Sequence, residues 1–193
     1  MQDFSFYFGL GWKHIMSWAA LDHLLFIAAL AAIYLVGDWK RVLILVTAFT
    51  IGHSLTLALS VLDLIRFSSI WVEFLIPCTI LITSITNLFQ YKFSSRSTRI
   101  NYFLALGFGL IHGMGFANTI RFMLAGDQGL GWSLFGFNVG LEVGQIVVVS
   151  IILIMAHIMV TLLKINRRDW VIFLSAAILS LSLQMAIQRI PAS

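Results

Sequence analysis

A chain of 193 residues that is 60% hydrophobic and 10% charged, with a mean hydropathy of +0.98, is too apolar for a soluble domain, where about a quarter of residues carry charge. Its net charge of +4 lies mainly in short loops, where it reports orientation and contact with anionic lipid and gives no reason to expect a nucleic-acid partner. With 2 Pro, one cysteine and no Gly/Ser-rich linker, the expectation is one all-α integral membrane domain over residues 1–193, with Cys78 in a packing role.

A span needs roughly 20 mainly apolar residues. On that rule a bundle of about six helices is expected near 14–36, 42–62, 70–90, 101–123, 132–162 and 170–187. The first run lacks a cleavage pattern leading into a soluble domain, so it is read as a retained helix and not as a signal peptide. Lys40 and Arg41, then Lys92, Arg96 and Arg99, then Lys164, Arg167 and Arg168 follow the first, third and fifth spans. Those loops are expected on the cytoplasmic side, which puts both termini outside together with Lys13, Arg66, Arg121 and Arg189.

In the first span, Asp22 and His23 stand side by side in "WAALDHLLFIAALAAIYLV". His14 lies at its outer end, where it serves either as a mouth residue or as an ordinary interfacial histidine. The second span places His53 within "TAFTIGHSLTL". Thr50 and Thr56 flank the His53 face, whereas Thr47 and Ser54 are expected to bond back to helix carbonyls. Glu73, near the start of the third span, is a candidate for an entry vestibule. The fourth span carries His112, with Gly109 and Gly113 as packing positions. In the fifth, Asn138, Glu142 and Gln145 share one face, while Gly136, Gly140 and Gly144 form a smooth stripe for a close neighbour. His157 falls toward its inner end as a satisfied or snorkelling residue.

Counted from the outer helix ends at ~1.5 Å per residue, Asp22, His23, His53, His112 and Glu142 all fall roughly 13–16 Å deep. Ionisable groups at such depth usually face a cavity or one another and mark a functional path. Two ionised carboxylates and three neutral imidazoles would be brought to neutrality by one divalent cation. Nitrogen and oxygen donors without thiolate favour ions of the zinc, nickel, cobalt, iron or manganese type over copper(I). The bland alternative is a hydrogen-bonded polar core that holds no ion.

The segments "HIMSWAALDHLLFIAAL", "FTIGHSLTLALS", "VEFLIPCTILITSITNLF", "FGLIHGMGFA" and "FNVGLEVGQ" together resemble the HupE/UreJ family, and especially its shorter second branch. The resemblance implies a multipass protein of the bacterial inner membrane, a nickel or cobalt permease accessory to hydrogenase or urease, with metal-enzyme maturation proteins or a second copy as conceivable partners. It maps the family's motif positions onto His14, Asp22, His23, His53, His112, Glu142 and Gln145. The family's nickel permeases place five residues between the leading histidine and the Asp-His pair, whereas seven separate His14 from Asp22. On a continuous helix two extra residues turn a side chain by about 200°, which takes His14 off the ligand face. Relatives also often carry an acidic residue where this chain has Ser17.

Three functions follow from these readings. The first is a permease for a divalent transition-metal ion (nickel, cobalt or zinc) held by Asp22, His23, His53, His112 and Glu142, with His14, Thr50, Glu73, Asn138 and Gln145 around the site or along the path. The second is an intramembrane zinc hydrolase with Glu142 or Asp22 as general base. The third is an assembly subunit with a purely structural polar core.

Overall fold

The computed structural model describes residues 2–90, 95–124 and 130–191, and all regular elements among them are helical. Seven main helices follow in order: α1 (Gln2–Met16), α2 (Leu21–Ala31), α3 (Trp39–Val61), α4 (Ser69–Phe89), α5 (Ser95–Leu124), α6 (Leu130–His157) and α7 (Arg167–Gln188). A 3₁₀ turn at Trp18–Ala20 joins α1 to α2, and α6 runs on into a π-helical turn at Ile158–Leu162. Lys92 lies outside the described residues, as do the side chains of Arg96, Arg99 and Arg121.

Among the described residues, four helices are long and apolar enough to cross a membrane: Val36–Val61, Ser69–Phe89, Gly131–Leu162 and Arg167–Gln188. The α1–α2 pair makes a fifth if it is read as one broken span. The expected count of six therefore stands at four to five on this criterion, although the expected 101–123 segment is helical within α5.

The first expected span is the main departure. Residues 14–36 do not form one helix; α1 and α2 meet at a bend of 70°. Neither proline nor glycine marks the break. Backbone bonds from Ser17 to Lys13 and from Ala20 to Ser17 close it locally, and tertiary packing fixes it, because α1 lies along α6 while α2 also packs against α4.

Glycines set the closest helix contacts. A Cβ at Gly11 would overlap the Phe137 carbonyl, one at Gly140 the Phe8 carbonyl, and one at Gly136 would press on Phe4, so α1 and α6 run parallel with almost no side-chain layer between them. The expected packing stripe of α6 thus seats α1. A second pair works alike: added methyls at Gly52, Gly109 and Gly113 would strike backbone of the partner helix, which holds α3 and α5 parallel and in close contact. Without a strong hydrophobic drive between helices in lipid, such close approach supplies the attraction by dispersion and short-range packing.

Arginines tie down the ends. Arg168 donates to the carbonyls of Leu88 (2.5 Å) and Gln90 (2.7 Å) at the C-terminal end of α4, groups a helix leaves without internal partners. At the opposite end of α7, Arg189 reaches the Glu73 carbonyl near the start of α4. Helices α4 and α7 are therefore antiparallel. Asp38 pairs with both Arg41 (3.0 Å) and Arg167 (3.8 Å), which brings two of the basic loop clusters to the same end of the bundle.

Candidate metal centre

The break after α1 brings His14 into the interior. One ring nitrogen each from His14, His23 and His53 lie within 4.8 Å of one another. These residues come from α1, α2 and α3. His112 of α5 adjoins them, its ring centroid 4.9 Å from that of His23. Four elements thus converge on one group of imidazoles. The expectation that His14 faces away from the others assumed an unbroken helix; the 70° bend swings it into contact with His23 at a centroid distance of 4.6 Å.

Hydrogen bonds orient two of the rings. Asp22 Oδ1 accepts from the backbone N–H of His23 (2.8 Å) and lies 2.9 Å from His23 Nδ1. With that nitrogen donating, the lone pair of His23 is on Nε2. His112 is fixed in the same way by Nδ1 donating to the Phe108 carbonyl at 2.8 Å. A carboxylate or carbonyl holding the distal ring nitrogen is the arrangement that sets the tautomer of metal-binding histidines. Buried and without hydrogen-bond partners are His14 Nε2, His23 Nε2, both ring nitrogens of His53, and His112 Nε2. Leaving such a group unsatisfied costs about 1–3 kcal/mol, so four imidazoles gathered in one place, each with a bare nitrogen, call for a shared guest.

The surroundings are aromatic. Phe116 packs on His14 with ring centroids 4.0 Å apart, Phe137 stacks on His53 at 6.3 Å, and Phe26 and Phe49 each lie 5.2 Å from His112. This cage keeps water from most of the cluster and strengthens any charge interaction within it. On one side it opens into a cavity of about 360 Å³, lined by His14, Asp22, His23 and His112 together with Ser17, Glu73, Phe116 and Arg189. Six waters of an ion's shell take up roughly 180 Å³ at liquid density, so a hydrated divalent ion fits.

The other expected residues fall elsewhere. Glu142 is half-buried on α6 and accepts a 2.8 Å bond from Thr47 of α3. Gln145 accepts from Thr50, also at 2.8 Å. These two pairs form a polar seam between α3 and α6, and the structure does not bring Glu142 into the imidazole group. Asn138, on the same helix, has a buried Oδ1 without a partner. Ser54 bonds back to the Thr50 carbonyl as expected, whereas Thr47 turns instead to Glu142. His157 is exposed at the end of α6. Arg189 is the residue that sequence reasoning missed at the site: its Nη1 stands 3.3 Å from Asp22 Oδ2. Only its place at the outer end of a span hinted at this.

The family profile described as HupE / UreJ protein matches residues 1–189. The chain belongs to the HupE/UreJ family. No curated protein and no solved structure matches it. For this HupE/UreJ protein, family membership and the apolar helices together establish a multipass membrane protein, and the imidazole cluster is the group of side chains best suited to chemistry within it.

Proposed function

We propose that this protein is a permease whose cargo is a divalent transition-metal ion of the nickel or cobalt class. The observation that carries the reading is the set of four imidazoles, each with a buried, partnerless nitrogen, gathered from four helical segments beside an open cavity, three of them with one ring nitrogen each within 4.8 Å of one another. His14, His23 and His53 would hold the ion, His112 stands as an adjoining donor, and Asp22 orients His23. Nitrogens 2.0–2.1 Å from a common tetrahedral ion lie about 3.4 Å apart, so small side-chain rotations close the present spacing around one. The lack of thiolate suits nickel, cobalt or zinc over copper(I). In this reading the protein sits in the bacterial inner membrane with its basic loops inside and both termini outside.

The candidate route for the ion from the cluster toward the basic end runs past buried hydroxyls of α4 and α7. Ser175 and Ser182 of α7 and Ser84 of α4 are fully buried, and the hydroxyls of Ser84 and Ser175 have no hydrogen-bond partner. The antiparallel register of α4 and α7 sets Ser84 at about the level of Ser175, and Thr79 at about the level of Ser182. Asn87, one turn beyond Ser84, donates to the Ala29 carbonyl of α2. Hydroxyls buried without partners in a closed seam are explained if the seam hydrates in a second state. The seam among α2, α4 and α7 thus supplies the far half of an alternating-access path. Changing Ser84 and Ser175 together to Val is expected to leave metal binding intact and to slow uptake roughly tenfold, the value of about one lost hydrogen bond to a passing hydrated ion. Uptake at the wild-type rate would rule this route out.

The decisive measurement is metal content of the detergent-purified protein by elemental mass spectrometry, followed by uptake of nickel, cobalt and zinc into proteoliposomes. Stoichiometric metal with uptake is the expected outcome. Bound metal without uptake would turn attention to hydrolysis, and no bound metal after incubation with each ion would leave a structural polar core. The hydrolase reading is the less favoured because Glu142 is engaged with Thr47 and Asp22 with His23 and Arg189.

A further inference from the structure

Among the described residues lining the cavity, Arg189 is the only lysine or arginine. It arrives from the C-terminal cap of α7, and its guanidinium makes two contacts: 3.3 Å to Asp22 Oδ2 and a long 3.5 Å to the Glu73 carbonyl. Asp22 is the same carboxylate that orients His23 through its other oxygen. The Asp22 side chain is 12% exposed and that of Arg189 is 31% exposed, so the pair lies between the buried cluster and the open cavity.

Charge accounting gives this pair a role. A buried carboxylate beside neutral imidazoles needs a positive partner. While no ion is present, the guanidinium supplies it. A divalent ion among the imidazoles brings two positive charges close to Arg189 and becomes the stronger partner for Asp22, acting through His23 in a carboxylate–histidine–metal relay. The guanidinium then faces repulsion, and its 3.5 Å contact with Glu73 holds it weakly.

We propose that Arg189 is a tethered counter-cation of the site, seated on Asp22 when the cluster is empty and displaced by the arriving metal ion. This rests on the metal-permease reading. Competition from the tethered charge keeps affinity low enough for the ion to leave again, and a monovalent ion, bringing half the charge, dislodges it less readily. Glu73, the other acidic group on the cavity wall, gives the displaced guanidinium a place to go.

The sign of the effect separates this role from a structural one. Nickel binding to the purified full-length protein would be measured by equilibrium dialysis for wild type, Arg189→Gln, Arg189→Lys, Asp22→Asn and the Asp22→Asn/Arg189→Gln double variant. Arg189→Gln is expected to bind at least about tenfold more tightly than wild type, as removal of a unit charge near a divalent ion implies. Its turnover in proteoliposomes at saturating nickel should fall. Arg189→Lys, which keeps the charge, should gain much less. Asp22→Asn should weaken binding by more than about tenfold, with an unneutralised guanidinium left at the mouth. Adding Arg189→Gln to it should recover the part of that loss that comes from the unneutralised charge, leaving the part that comes from the lost orienting carboxylate. This double variant also serves if Arg189→Gln alone folds poorly, since it leaves no unpaired charge. Equal or weaker binding by Arg189→Gln, or a double variant no better than Asp22→Asn, overturns the proposal while wild-type binding stands. Wild type that binds no nickel, cobalt or zinc overturns the metal site and this proposal with it.

Discussion

Replacing His14 with phenylalanine is expected to leave the protein folded and to cost it at least about a hundredfold in metal affinity. The figure follows from removing a ligand outright, since loss of a mere orienting partner already costs about 10–100-fold. Phenylalanine keeps an aromatic ring against Phe116, whose centroid lies 4.0 Å from that of His14, and against Phe137 at 5.8 Å. What it removes is both ring nitrogens, of which Nε2 is buried and unpartnered. The comparison therefore isolates the nitrogens from the packing. Competition dialysis with nickel, cobalt and zinc provides the measurement, with the detergent melting curve as control. If binding survives the change, His14 is a packing residue and the site reduces to His23, His53 and His112.

A second pair of substitutions should diverge although they lie two residues apart on one helix. Gly109→Ala is expected to cost about 3 kcal/mol or more, because the added methyl would overlap the Phe49 carbonyl and push α5 off α3, and a rigid backbone partner cannot yield as a side chain would. Gly107→Ala has nothing within 4 Å of the new atom and is expected to be neutral or slightly stabilising, as alanine is the better helix former. Size-exclusion profiles and melting curves in detergent would show the split. The same separation should carry to metal binding, because His53 and His112 stand on the two helices that Gly109 allows to meet. Equal stability of the two variants would mean that α3 and α5 do not approach so closely.

Much of this protein is written in its hydropathy and in the identity of a few polar residues. Apolar runs marked out a helical membrane protein, and the scarcity of ionisable residues in those runs drew attention to Asp22, His23, His53 and His112, all of which the fold gathers. Quoted motif by motif, the chain also pointed to its family. The glycine stripe on α6 announced a close contact because small residues at every fourth position leave one smooth face.

Which residues complete the site was a different matter. Depth along a helix is legible from residue counts, but rotation about the bundle axis and breaks within a span are not. His14 looked misplaced by about 200° on a continuous helix, and only the docking of α1 on α6 and of α2 on α4 bends the chain by 70° and turns it inward. Glu142 lies at a similar counted depth, yet α6 presents it to Thr47 across a different seam. Arg189 is 167 residues from Asp22, a separation no local pattern reports. Sequence by itself determined what this chain can dissolve in and which side chains are too costly to bury idly, since both depend on residue chemistry alone. The tertiary structure decided which of those side chains meet, because that depends on which helix faces pack and where a span is free to break.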